Sequence, residues 1–85
     1  MKTFKEQLYL FGEQVRYYRE TRGYTQDELS QISGLHRAYI GQVERGEKNL
    51  CLKNVFILSE CLNVDPGKLF APEKTDFEKC YYKAL

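Results

Sequence analysis

The run QDELSQISGLHRAYIGQVER, from Gln26 to Arg45, constrains this chain more than any other stretch. Its apolar residues Leu29, Ile32, Leu35, Ile40 and Val43 fall into two short patterns of helical period, with Ser33-Gly34 at the break between them. Two short amphipathic helices meeting at a tight glycine turn read as a helix-turn-helix corner. The corner's steric needs are met in place: Ser30 is small enough to let the helices approach, Gly34 can take a positive φ, and Leu35 can cap the core. Every position that such a corner must bury is apolar or small.

The flanking chain reads as more helix. Thr3 and Glu6 make a capping box ahead of Phe4, Leu8, Phe11, Val15 and Tyr18, which keep to one face until Gly23, after Arg22, ends the pattern. Gly12 interrupts this stretch at a cost of about 1 kcal/mol relative to alanine. Residues 1–11 are therefore either continuous with the first helix or a separate extension ahead of a domain over residues 12–71. Thr25 with Glu28 caps the first helix of the corner, and the second should run from just after His36 through Tyr39, Ile40 and Val43 to near Gly46. After the polar loop Gly46-Glu47-Lys48-Asn49, the residues Leu52, Val55, Phe56, Leu58, Ser59 and Leu62 predict a fourth helix that stops at Asn63. Asp65-Pro66 opens a short fifth helix expected to bury Leu69 and Phe70.

Pro72 breaks the chain again, and Thr75 with Glu78 starts a last pattern in which Phe77, Cys80, Tyr81 and Ala84 share a face. Residues 72–85 thus predict an extra C-terminal helix. It can pack on its own domain, pack against another subunit as a dimerisation element, or fray.

At 85 residues the chain can bury one modest core, and 42% hydrophobic with 29% charged residues is a globular composition. No apolar run approaches the roughly 18 to 20 residues that span a bilayer, and Met1-Lys2 is not followed by the apolar segment of a signal peptide. No membrane partner and a cytoplasmic location are therefore expected. The net charge of +1 announces no nucleic-acid partner by itself. The distribution is uneven, however: Arg37, Arg45, Lys48 and Lys53 fall in a short central span, while Glu73, Asp76 and Glu78 gather near the C-terminus. Cys51, Cys61 and Cys80 lack a CxxC spacing and His36 is the single histidine, so no metal site, no cofactor and no disulfide framework is expected. No phosphate-binding glycine loop or Ser-His-Asp set stands in the chain, which argues against an enzyme.

The run TQDELSQISGLHRAYIGQVERGEKNLCLKNVFILSECLNVDPGKLF resembles the Cro and phage-repressor (XRE) type of helix-turn-helix domain in its TQxEL start, its glycine turn, its YIxxxERG end and the helix pair that follows. The resemblance covers about Phe11 to Phe70. Within that family, GLHRAYIGQVERGEKN followed by LKN is most similar to controller proteins of restriction-modification systems. It implies an all-α, compact five-helix, lambda-repressor-like DNA-binding domain with an extra C-terminal helix.

In such a fold the second helix of the corner enters the major groove and its N-terminal residues reach base edges, while the first helix lies across the backbone. His36, Arg37, Ala38 and Gln42 are the exposed candidates for base reading. Arg37 can donate two bonds to guanine O6 and N7, or contact a phosphate instead; Ala38 can only touch a thymine methyl. His36 can cap the helix, bind phosphate or contact a base, and Gln42 can reach a base or the sugar-phosphate chain. Gln26, Tyr39, Arg45, Lys48, Asn49 and Lys53 are the expected phosphate contacts, which set register and salt-dependent affinity rather than sequence choice.

The resemblance further implies that Arg19, near the end of helix 1, pairs with Glu44 as a structural ion pair. The sequence departs from the family pattern at Ser30, where alanine is usual, and at Cys51, where a Ser or Thr normally caps helix 4. The segments before Gly12 and after Phe70 are also additions. A homodimer is expected, because two domains about a twofold axis read half-sites about 34 Å apart. Phe70, Phe77, Tyr81 and Tyr82 are the interface candidates, with Phe4 and Leu8 as alternatives.

The whole reading is a sequence-specific double-stranded DNA-binding transcriptional regulator, bacterial or phage-encoded, nucleoid-associated when bound and acting as a homodimer on a palindromic operator. Its leading setting is autoregulatory control of a restriction-modification operon. The alternatives are a phage or mobile-element repressor, or an antitoxin or adaptor whose C-terminal helix binds a partner protein.

Overall fold

In the computed structural model, residues 2–70 are described. The predicted C-terminal helix, with Phe77, Tyr81 and Tyr82, lies outside them. The described residues form five helices: α1 (Phe4–Thr21), α2 (Gln26–Ser33), α3 (Arg37–Glu44), α4 (Leu52–Leu62) and α5 (Gly67–Phe70), with no strand among them. The architecture is all-α.

Side chains start α1 and α2 in the same way. Thr3 Oγ1 accepts the Glu6 amide at 3.1 Å while the Glu6 carboxylate reaches back to the Thr3 amide, and Thr25 with Glu28 repeats the exchange at 3.0 and 2.9 Å. Each box satisfies amides that the first turn leaves without partners. Neither α3 nor α4 has this help: His36 and Cys51 stand at their N-caps with no side-chain cap bond. The capping role open to His36 is thus not taken, and α3 and α4 are held by what they bury.

One core joins all five helices. Phe11 and Val15 of α1, Leu29 of α2, Ile40 and Val43 of α3, Val55, Leu58 and Leu62 of α4, and Leu69 of α5 are buried together. Gly12 lies within this packing, and α1 runs through it unbroken. An ideal Cβ at Gly12 would stand 2.7 Å from the Glu44 carbonyl oxygen and nearer still to that of Val43. The glycine that looks like an interruption in sequence is the place where α1 crosses the end of α3 at backbone contact.

Five pattern residues do not go inside. Phe4, Ile32, Leu52, Phe56 and Phe70 are each more than half exposed, so the expectation that Phe70 is buried beside Leu69 is corrected. In each case helical period assigns a face correctly but cannot say where the neighbouring helix stops covering it. α5 has only four residues, and Phe70 at its end meets Phe11 with ring centroids 5.3 Å apart while keeping its outer side open.

Candidate nucleic-acid interface

The interface rests on a buried carboxylate. Glu44, at the end of α3, accepts Arg19 Nε at 2.6 Å, Arg19 Nη2 at 3.1 Å and Gln26 Nε2 at 3.0 Å. Arg19 Nη1 donates to the Tyr24 carbonyl at 2.8 Å. One ion pair therefore fixes α3 against α1, the α1–α2 turn and the start of α2. A buried charge is tolerable only when paired and hydrogen-bonded, and this carboxylate has three donors. The Glu44 hydrogen bond holds the Arg19 pKa above its ordinary value, against the opposing effect of burial and with help from the Glu44 and Glu20 charges. Gln26, expected at a phosphate, has its side-chain amide turned to Glu44.

The corner is fixed by serines as well as by apolar packing. Gly34 takes φ 75°, Ser30 Oγ donates to the Leu35 carbonyl at 2.6 Å, and Ser33 Oγ accepts the Leu35 amide at 3.1 Å. Ser30 is more than a small residue here. Its hydroxyl satisfies a carbonyl in the turn that an alanine would leave open.

The N-terminal end of α3 is open. His36, Arg37 and Ala38 are exposed, Tyr39 and Gln42 are half-buried, and Ile40, Gly41, Val43 and Glu44 face inward. Ala38, Gln42 and Arg45 follow at i, i+4 and i+7, so they form one stripe along the helix. A helix is about 10 to 12 Å across with its side chains, close to the width of the major groove. Lys48 and Asn49 stand exposed in the loop after α3, and Lys53 in the first turn of α4. Tyr39 packs its ring against the core, and its hydroxyl accepts Asn54 Nδ2 at 3.0 Å, which ties α3 to α4.

Like the Asn54–Tyr39 bond, two further contacts are not signalled by the sequence. Arg37 Nε stands 2.9 Å from Asp27 Oδ1, a pair that spans the turn from α2 to α3. Arg22 Nε and Nη2 donate to the carbonyls of Leu62 and Asn63 at 2.9 and 3.2 Å, and its guanidinium lies over the Tyr18 ring. Arg22 thereby closes the C-terminus of α4 from 40 residues away. No local spacing signals a contact of that range.

Phe4 and Leu8, read as alternatives to Phe70 for an interface, come together with it. They line one groove of about 120 Å³ with Phe11, Leu50 and Val55, and Gln7 and Asn49 add polar groups to its wall. Among the described residues no group of three or more His, Cys, Asp or Glu is placed to hold a metal ion, and no helix is long and apolar enough to cross a membrane.

An exposed helix N-terminus on a serine-stitched corner defines a helix-turn-helix protein. The family model described as helix-turn-helix matches residues 15–69. The chain belongs to this XRE-type helix-turn-helix family of DNA-binding transcription regulators. It is 47% identical over 60 residues to control protein C.SmaI of Serratia marcescens, covering 71% of each chain. It is 39% identical over 61 residues to control protein C.BamHI of Bacillus amyloliquefaciens, covering 71% of this chain and 75% of that one. The crystal structure of the restriction-modification controller protein C.AhdI from Aeromonas hydrophila superposes with a TM-score of 0.72 at 41% identity, over 74% of this chain and 96% of that one.

Proposed function

We infer that two copies of this chain bind a palindromic operator in double-stranded DNA and that the chain thereby controls its own restriction-modification operon in the bacterial cytoplasm. The observation that carries this is the end of α3. Arg37 and Ala38 stand exposed at its N-terminus while Glu44 anchors its other end to α1, so the helix is presented as a fixed probe. Arg37 reads a guanine, Ala38 and Gln42 contact neighbouring bases, and His36 stands at the edge of the groove. Tyr39, Arg45, Lys48, Asn49 and Lys53 meet phosphates. Gln26 acts from the start of α2 and holds Glu44 at the same time. The controller proteins among the relatives support the setting.

A dimer follows from the short readout of one domain and from the groove of Phe4, Leu8 and Phe70, an apolar surface that a second copy covers. Titration with DNA from immediately upstream of its own gene, beside scrambled DNA and at several salt concentrations, tests the proposal. Tight binding of the upstream fragment by a dimer, with its preference over scrambled DNA reduced in Arg37→Ala, is the expected result. Equal and weak binding to both fragments overturns operator control, and a monomer in sedimentation overturns the dimer.

A further inference from the structure

The exposed arginines of the α3 region each have a carboxylate at Nε: Asp27 at 2.9 Å from Arg37 and Glu47 at 3.0 Å from Arg45. The two pairs differ in origin. Glu47 is a near neighbour of Arg45 in the loop, whereas Asp27 comes from the first turn of α2 and reaches across the corner to the first residue of α3. The side chains of Arg37 and Asp27 are 62% and 69% exposed, so solvent screens the pair and it adds little to the fold. A carboxylate on a surface that meets phosphates also opposes binding by like charge. An acid in the first turn of α2 suits the helix dipole, but neither that nor affinity requires its carboxylate to face Arg37.

Specificity does. An arginine distinguishes guanine only when its planar fork is aimed at O6 and N7, and an unrestrained arginine must lose side-chain freedom to get there. A carboxylate 2.9 Å from Nε narrows the orientations open to the guanidinium on that side. It also offsets the attraction that the same cation exerts on any phosphate. We propose that Asp27 is a positioning residue that determines specificity in DNA readout: it aims Arg37 at a guanine and reduces binding to sequences that lack one. The matching sequence gains from the first effect, and the others lose by the second.

This rests on the operator-binding reading, and the test separates the two. A duplex selected from a random-sequence library by the wild-type protein is compared with a random-sequence duplex, using Asp27→Asn, Arg37→Ala and the double variant. Asp27→Asn is expected to melt with the wild type, to bind the random duplex more tightly and to lose roughly five- to tenfold in discrimination. In a base-pair scan of the selected duplex its preference should relax at the position where Arg37→Ala relaxes it. In the Arg37→Ala background, Asp27→Asn should cost no further discrimination. Equal tightening on both duplexes, or additive losses in the double variant, overturns the role of Asp27 while operator binding stands. A wild type that selects no duplex overturns operator binding, and the role of Asp27 with it.

Discussion

Glu44 and Arg19 meet as a two-bond fork, Nε at 2.6 Å and Nη2 at 3.1 Å, with 4% and 11% of their side chains exposed. Because Glu44 ends α3 and Arg19 nears the end of α1, the orientation of the whole recognition corner depends on this pair.

Glu44→Ala is therefore expected to unfold the domain rather than merely weaken DNA binding. Removing one partner leaves Arg19 charged and shielded from water, at a cost of about 3 to 5 kcal/mol for a well-buried pair. In a domain of this size that lowers the thermal midpoint by more than about 10 °C. Calorimetry or circular dichroism checks it, and a midpoint equal to the wild type refutes it. The pair raises the Arg19 pKa, so its contribution is complete below the ordinary arginine range. Only strongly alkaline pH, rising through the folded value, removes that part.

Gly12→Ala tests the crossing of α1 and α3. Alanine gains about 1 kcal/mol in helix propensity, so an isolated α1 peptide with the substitution should be more helical. In the folded chain the new Cβ meets the carbonyl oxygens of Val43 and Glu44. Backbone does not yield as a flexible side chain would, and overpacking costs typically 1 to 3 kcal/mol. The protein should melt lower while the peptide gains helix. A protein stabilised in parallel with the peptide would show that the crossing has room.

What the sequence displays is the corner and the period of its helices. Leu29, Ile40 and Val43 are buried where their spacing puts them, and Thr3 and Thr25 cap the helices they precede. Contacts that join distant segments are not displayed. Arg22 closing α4, Asn54 holding Tyr39 and Asp27 facing Arg37 all depend on how helices cross, which no spacing encodes. Gly12 shows the same limit from the other side: its effect on α1 alone is unfavourable, and its reason lies in α3. Arg19 and Glu44 were legible only through resemblance to a family, since 25 residues separate them.

Cys61 and Cys51 should react at different rates. Cys51 is exposed, whereas Cys61 is half-buried against α2, with its thiol 3.6 Å from the Ile32 carbonyl. Burial first, and the Glu60 charge second, push the Cys61 thiol above its ordinary value, so it stays protonated at neutral pH. Peptide mapping after brief iodoacetamide treatment at pH 7 should find Cys51 modified ahead of Cys61. The sign for stability follows: the neutral thiol is favoured in the fold, so its contribution is complete below the unfolded thiol range and is lost as pH rises through the raised folded value. Equal alkylation of the two sites at pH 7 would refute the assignment.

Arg37 and the lysines of the α3–α4 region should separate cleanly in DNA binding, because one reads and the others attract. Arg37→Ala is expected to relax preference at one base pair of each half-site, by about 1 to 3 kcal/mol per position. Lys48→Ala and Lys53→Ala should weaken binding to every duplex by similar factors, each reducing the dependence of log K on log salt by about one unit. None of the three should move the melting point much, since all three side chains are exposed. Fluorescence anisotropy on a set of single-base-pair variants, repeated at several salt concentrations, measures both quantities in one series. If Arg37→Ala changed only the salt slope and Lys53→Ala changed base preference, the roles would be exchanged, and the reading end would lie at the start of α4 instead of the start of α3.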